Sequence, residues 1–162
     1  MTEAEMRGHR CCFTGHRPEK LLRSKEQITA DLTAAIDNAI SDGYRTFISG
    51  MAMGVDIWAA QIVLEKKTVL PGLHLICALP FPEFGDRWSS QWSDVYNEII
   101  RHADLVKSIS PSFSYASYQK RNEWMVDHSN RVIAVFNGSA GGTKNTVKYA
   151  QQNNVPCILI QG

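Results

Sequence analysis

Six short apolar runs, each ended by a turn residue and each separated from the next by a stretch with helical spacing, constrain this chain more than any other feature. The runs are RCCFTG at 10–15, RTFISG at 45–50, LHLICALP at 73–80, LVKSIS at 105–110, RVIAVFNG at 131–138 and PCILIQ at 156–161. After the first run, Ser24 or Lys25 opens a helix. In it Ile28, Leu32, Ile36 and Ile40 recur every fourth residue, Ala35 and Ala39 widen the stripe, and Gly43 stops it. Further helices are expected over 55–66, around Trp88, Trp92, Val95, Tyr96 and Ile99, over 118–129 and over 142–154. Strands that are apolar along their whole length are buried on both faces, which is the condition of a parallel sheet between helices. The expected fold is α/β: a Rossmann-like three-layer α/β/α arrangement with a mostly parallel sheet of about six strands, forming one domain over 1–162.

A chain of 162 residues can bury a sufficient core without disulfides or metal. Its four cysteines, Cys11, Cys12, Cys77 and Cys157, all fall within apolar runs and read as buried thiols suited to a reducing cytoplasm. Cys11 and Cys12 are adjacent and face opposite ways on a strand, which excludes a zinc knuckle there, and no metal-binding spacing occurs. No stretch supplies the roughly 18 consecutive apolar residues of a membrane span. A formal charge of +1 gives no global field toward nucleic acid or an anionic membrane.

In an open parallel sheet, ligands gather outside the carboxyl ends of the strands. The unusual residues stand there. After the first strand come Thr14, Gly15, His16, Arg17 and Pro18, where glycine permits a tight turn and Arg17, with His16, can meet an anion. After the second, Ser49-Gly50-Met51-Ala52-Met53-Gly54 leads into a helix whose first turn holds Asp56. Its small residues let a ligand approach, and Asp56 can bond a ribose hydroxyl or simply complement the helix dipole. Met51 and Met53 read as packing. After the fifth, Gly141, Gly142 and Thr143 have the form of a phosphate cradle, although neither GxxxxGK[ST] nor GxGxxG occurs. Phe81 and Trp88, in the aromatic loop after the third strand, are candidate platforms for a base, Trp88 and Trp92 being also natural anchors of the next helix. Tyr118 can share a helix face with Arg121 or Asn122, and Arg121 can neutralise phosphate charge. No nucleophile and base pair is recognisable.

FTGHRPEKL at 13–21, ISGMAMGVDIWAA at 48–60 and RNEWMVDHSNRVIAVFNGSAGGTKNTVKYA at 121–150 resemble the YpsA-like family of the SLOG superfamily, which joins Smf/DprA proteins to the LOG (Lonely guy) phosphoribohydrolases. SGMAMGVD is similar to the DprA signature, and GGT at 141–143 to the superfamily's phosphate loop. The resemblance implies a Rossmann-like fold and a nucleotide or nucleotide derivative, of the NAD or ADP-ribose class, as ligand. It assigns contacts to Gly15, Arg17, Ser49, Gly50, Gly54, Asp56, Gly142 and Thr143, with His16 and Arg121 as further candidates. The LOG motif PGGxGTxxE carries a catalytic glutamate; here Thr146 takes its place, so the hydrolase chemistry does not transfer on this motif.

Three readings follow from these residues. The first is binding or sensing of a phosphate-bearing, nucleotide-derived small molecule, alone, through a partner or as a homo-oligomer. The second is an N-glycosidic hydrolase acting on nucleotides, with Glu83 or Asp56 replacing the missing carboxylate. The third is DprA-like binding of single-stranded nucleic acid, for which the sequence shows no basic run.

Overall fold

The computed structural model describes residues 1–162. Its six strands are β1 (Arg10–Gly15), β2 (Thr46–Ser49), β3 (His74–Leu79), β4 (Leu105–Ser108), β5 (Arg131–Phe136) and β6 (Cys157–Gln161). They form one sheet in the order β4-β3-β2-β1-β5-β6, and every pairing is parallel. The expected three-layer α/β fold is therefore present, with a sheet that is wholly rather than mostly parallel.

The helices are α1 (Glu3–Arg7), α2 (Lys25–Ser41), α3 (Val55–Lys67), α4 (Ser90–His102), α5 (Tyr115–Asp127) and α6 (Gly142–Gln152). From β1 the chain steps outward through β2 and β3 to β4, then returns past β1 to β5 and β6. Right-handed crossovers in opposite directions put their helices on opposite faces. The larger core cluster accordingly holds Ile28, Leu32 and Ile36 of α2, Ala59 and Val63 of α3, and Tyr96 and Ile99 of α4. The smaller holds Met125 and Val126 of α5 with Val147 and Ala150 of α6. Cys11 lies in the first cluster and its neighbour Cys12 in the second, as strand alternation requires. Burial pushes the Cys12 and Cys77 thiols up to about 12, so they stay protonated and serve as small apolar side chains. None of the helices is long and apolar enough to cross a membrane.

Local chemistry explains where boundaries differ from the sequence expectation. Ser24 caps α2 by accepting from the Gln27 amide, while Gln27 Oε1 accepts from the Ser24 amide. The fifth helix starts at Tyr115, three residues early, because the Ser117 hydroxyl turns back onto the Ser114 carbonyl and closes the first turn. Two elements lie outside the expectation. The five-residue α1 is held by a Thr2–Glu5 capping box, and a 3-10 turn spans Pro18–Lys20 with proline at its start.

The start of α3 presses on the end of β1. A Cβ placed on Gly15 would stand 2.4 Å from Val55 Cβ, a distance that two packed carbons cannot share. Gly15→Ala is expected to cost about 1–3 kcal/mol through overpacking. Gly72→Ala, where nothing lies within 4 Å of the added carbon, is the control. Urea unfolding of the two variants checks this: equal stabilities would show that the β1–α3 contact is loose.

Candidate functional site

Connections from β1 and β5 leave in opposite directions, so the crevice of this sheet opens beyond their carboxyl ends. There the loop after β1 is stitched to the loop after β5. His16 is 3% exposed, and its Nε2 accepts from the Asn137 amide at 3.2 Å. Burial, with the nearby Lys20 charge, pulls His16 below the ordinary histidine range, and the bond to Asn137 requires a neutral Nε2. Asn137 Nδ2 donates to the Lys20 carbonyl at 2.9 Å, and Lys20 Nζ donates to the Ala140 carbonyl at 3.2 Å. His16 is thus occupied in joining two loops, Thr14 is buried within β1, and Arg17 is exposed.

The loop after β2 is closed by its own residues. Ser49 is fully buried; its hydroxyl donates to the Asp56 carbonyl at 2.8 Å and accepts from the Met51 amide at 3.2 Å. Asp56 Oδ2 accepts from the Ala52 amide at 3.2 Å, while its buried Oδ1 has no partner. Burial pushes the Asp56 carboxyl up to about 6, against the opposing pull of Arg121, the Ala52 amide and Arg17. The glycines here make room for neighbouring protein atoms. A Cβ on Gly50 would meet the Arg121 guanidinium at 2.9 Å, and one on Gly54, at φ +94°, would meet Pro18 Cδ at 2.8 Å. Met51 is wholly buried as packing, with a left-handed φ of 62° that shows how tight the turn is.

Arg121 reaches this loop from α5. It is 5% exposed, its Nη1 donates to the carbonyls of Gly50 and Ala78, and its guanidinium carbon lies 5.7 Å from the Phe84 ring centre. Its Nε donates to Asn122 Oδ1 at 2.8 Å. That bond leaves Asn122 Nδ2 turned the other way, 3.7 Å from where a Cβ of Gly142 would stand.

At the start of α6 the backbone is open. Gly141, at φ +140°, is the N-cap and no side chain caps the helix. The first intrahelical bond runs from the Asn145 amide to the Gly141 carbonyl, so the amides of Gly142, Thr143 and Lys144 have no acceptor. Thr143 is 95% buried, since its exposure is 5%, and its hydroxyl makes no hydrogen bond to the protein. Thr146 is different: buried, it donates to the Gly142 carbonyl at 2.8 Å and holds no proton-transfer group at the place of the LOG glutamate. Lys20 and Asn122, which sequence reading left outside its main contacts, both approach this helix start. Their adjacency to the HRP turn and to Arg121 was the available signal.

Of the two proposed stacking residues, Phe81 is 8% exposed and meets Phe84, Phe113 and Tyr118 edge to face, so little ring area is free. Trp88 packs edge to face on Phe84 and Tyr96, as an anchor of α4 does. The accessible rings are Phe113 and Tyr115, 53% and 86% exposed, at the entry to α5. A roomy groove of about 1230 Å³ lies elsewhere, between the second halves of α3 and α4. Those halves run toward the amino ends of the strands, away from every loop above.

Residues 11–161 match the YspA SLOG family, and the chain belongs to that family. It is 32% identical over 147 residues to the SPbeta prophage-derived protein YoqJ of Bacillus subtilis (strain 168), covering 82% of each chain. It is 27% identical over 147 residues to a UPF0398 protein of Bacillus pumilus (strain SAFR-032), covering 85% of this chain and 79% of that protein. Among solved structures, DNA processing protein A from Helicobacter pylori, studied for its single-stranded DNA binding mode, superposes with a TM-score of 0.67 at 18% identity over 99% of this chain and 68% of that one. The Streptococcus pneumoniae DNA processing protein A gives 0.68 at 15% identity, over 97% of this chain and about half, 52%, of the other. At these identities the likeness is one of fold.

The buried Asp56 ties proton uptake to stability. Its folded value of about 6 exceeds the ordinary 3.8, so the native state binds the proton more tightly and wild-type stability falls as pH rises through 6. Asp56→Asn removes that dependence. The stability of the variant relative to wild type should rise by about 1 kcal/mol between pH 5 and pH 7. Urea unfolding at both values checks this; a difference that stays constant would contradict the buried, proton-hungry carboxyl.

Proposed function

We propose that this chain binds a nucleotide-derived, phosphate-bearing small molecule at the carboxyl ends of β1, β2 and β5, with the phosphate on the start of α6. The observation that carries this reading is the uncapped helix start, where three free amides stand beside the unpartnered hydroxyl of the buried Thr143. Free amides and the positive end of a helix dipole bind anions without further apparatus. Membership of a SLOG family supports a nucleotide-related ligand. The proposal is one of binding: the position of the LOG glutamate is held by Thr146, whose hydroxyl is engaged with the backbone, while Glu83 lies exposed on the loop after β3.

One observation favours single-stranded nucleic acid as a second reading. Phe113 and Tyr115 present exposed rings near the strand ends, and the similar DNA processing protein A from Helicobacter pylori has a single-stranded DNA binding mode.

Thermal unfolding with a millimolar panel of ribonucleoside monophosphates, NAD and ADP-ribose tests the leading reading. A ligand present at a hundredfold over its Kd should raise Tm by about 5–10 °C. Thr143→Val, which keeps the shape and removes the hydroxyl, should weaken that ligand about five- to tenfold. No stabilisation by any member of the panel, together with salt-dependent binding of a labelled oligonucleotide, would replace the first reading by the second.

A further inference from the structure

We infer that the free edge of β6 pairs with the same edge of a second copy of this chain, antiparallel about Leu159. The two ends of the sheet differ. β4 closes one end with LVKS, which carries Lys107. β6 closes the other with CILIQ, which has neither charge nor proline. A short strand and a lysine are what guard an edge against pairing, and β6 lacks the lysine. Its Ile158 and Leu159 are 40% and 58% exposed. Ile158 pairs in register with Ile133 of the larger core cluster and Leu159 with Ala134 of the smaller, so apolar surface is uncovered on both faces of the strand.

The backbone of β6 selects its occupant. The Val132 amide donates to the Pro156 carbonyl and the Gly162 amide to the Phe136 carbonyl, so residues 156, 158, 160 and 162 turn their backbone groups toward β5. Those of Cys157, Leu159 and Gln161 turn outward, where the Arg23 guanidinium reaches the Gln161 carbonyl at 2.9 Å. Such a strand is its own antiparallel complement. About a two-fold axis at Leu159, the two copies of Leu159 exchange both hydrogen bonds, and Cys157 of one chain exchanges them with Gln161 of the other. The Gln161 carbonyl keeps a second lone pair for this beside Arg23. Leu159 then lies against its own copy on the face of α6, and Ile158 beside Ile160 of the other chain on the face of α2.

A strand pair alone buries less than the roughly 1,200 Å² of a stable interface, so the flanking helices take part. In α2, Asp37 turns to α3 through its ion pair with Lys66, and Ile28, Leu32 and Ile36 turn to the sheet. That leaves Gln27, Asp31, Ala34 and Asn38 on the side of β6. Only Asp31 among them is charged, and Arg23 neutralises it at 2.7 Å. In α6, Tyr149 turns to α5 through its bond to Asp127, and Val147 and Ala150 to the sheet, leaving Lys144, Lys148 and Gln151 on the side of β6. Those lysines repel their copies across the axis until salt screens them. A formal charge of +1 adds no long-range barrier between copies.

Sedimentation velocity on the full chain tests this, from micromolar to hundred-micromolar concentration and at low and physiological salt. It is repeated on Leu159→Lys and, as the control at the opposite edge, on Leu105→Lys, both exposed positions. The expected result is a dimer that tightens as salt rises, that Leu159→Lys weakens tenfold or more and that Leu105→Lys leaves unchanged. Amide hydrogen exchange on the unmodified chain reads the same contact without a variant: the outward Leu159 amide should exchange at least tenfold more slowly wherever the dimer is populated. A monomer throughout, a dimer that salt dissociates, one indifferent to Leu159→Lys, or one whose Leu159 amide exchanges freely would overturn the pairing. Growth beyond a dimer, stopped by either variant, would also overturn it, because a contact of β6 with β4 leaves an edge open at each end.

Discussion

The Arg121 guanidinium, almost fully buried, joins parts of the molecule that the sheet alone leaves apart. It crosses from α5 to the carbonyls that end β2 and β3, packs over Phe84, and sets the orientation of Asn122. A buried cation is tolerated only where acceptors surround it, and here the acceptors are backbone carbonyls at strand ends. Gly50 must be a glycine because a side chain there would enter the space that the guanidinium fills. Asp56, buried in the first turn after the same loop, feels the Arg121 charge without making a direct ion pair with it. Its second oxygen has no partner, and burial pushes the carboxyl up to about 6.

This arrangement divides the crevice. The loops after β1 and β2 are packed onto one another through Gly15 against Val55 and Gly54 against Pro18, and they function as a wall. The loop after β5 is tied down by His16, Asn137 and Lys20, yet the helix that follows it keeps its first amides free. Rigid walls beside an uncapped helix start make a preorganised anion site, since the donors are fixed before a ligand arrives. The proposed phosphate position follows from that division.

Much of this was legible in the sequence. The apolar runs and the stripe of Ile28, Leu32 and Ile36 announce strands and helices because burial on one or both faces leaves a period in the residues. The location of the site at the strand ends follows from topology. The individual roles were less legible, because each depends on a partner far away in the chain. His16 looks like an anion ligand until its ring is seen holding Asn137, 121 residues on. Gly15 looks like a turn made for a ligand until Val55 is seen against it. Phe81 reads as a stacking platform, but neighbouring rings occupy its edges and faces, and exposure passes to Phe113 and Tyr115. Residue type suggested the chemistry; pairing distances decided which residues remain free to perform it.

The central claim is that the start of α6, and not the glycine-rich loop after β2, receives the ligand. Amide-resolved NMR titration of the ¹⁵N-labelled chain with the tightest-binding member of the nucleotide panel tests it most directly. The account predicts that the amides of Gly142, Thr143 and Lys144 move first and furthest, while Met51, Ala52 and Val55 stay nearly still. Largest shifts at Gly50 to Val55, with Gly142 to Lys144 unmoved, would contradict it.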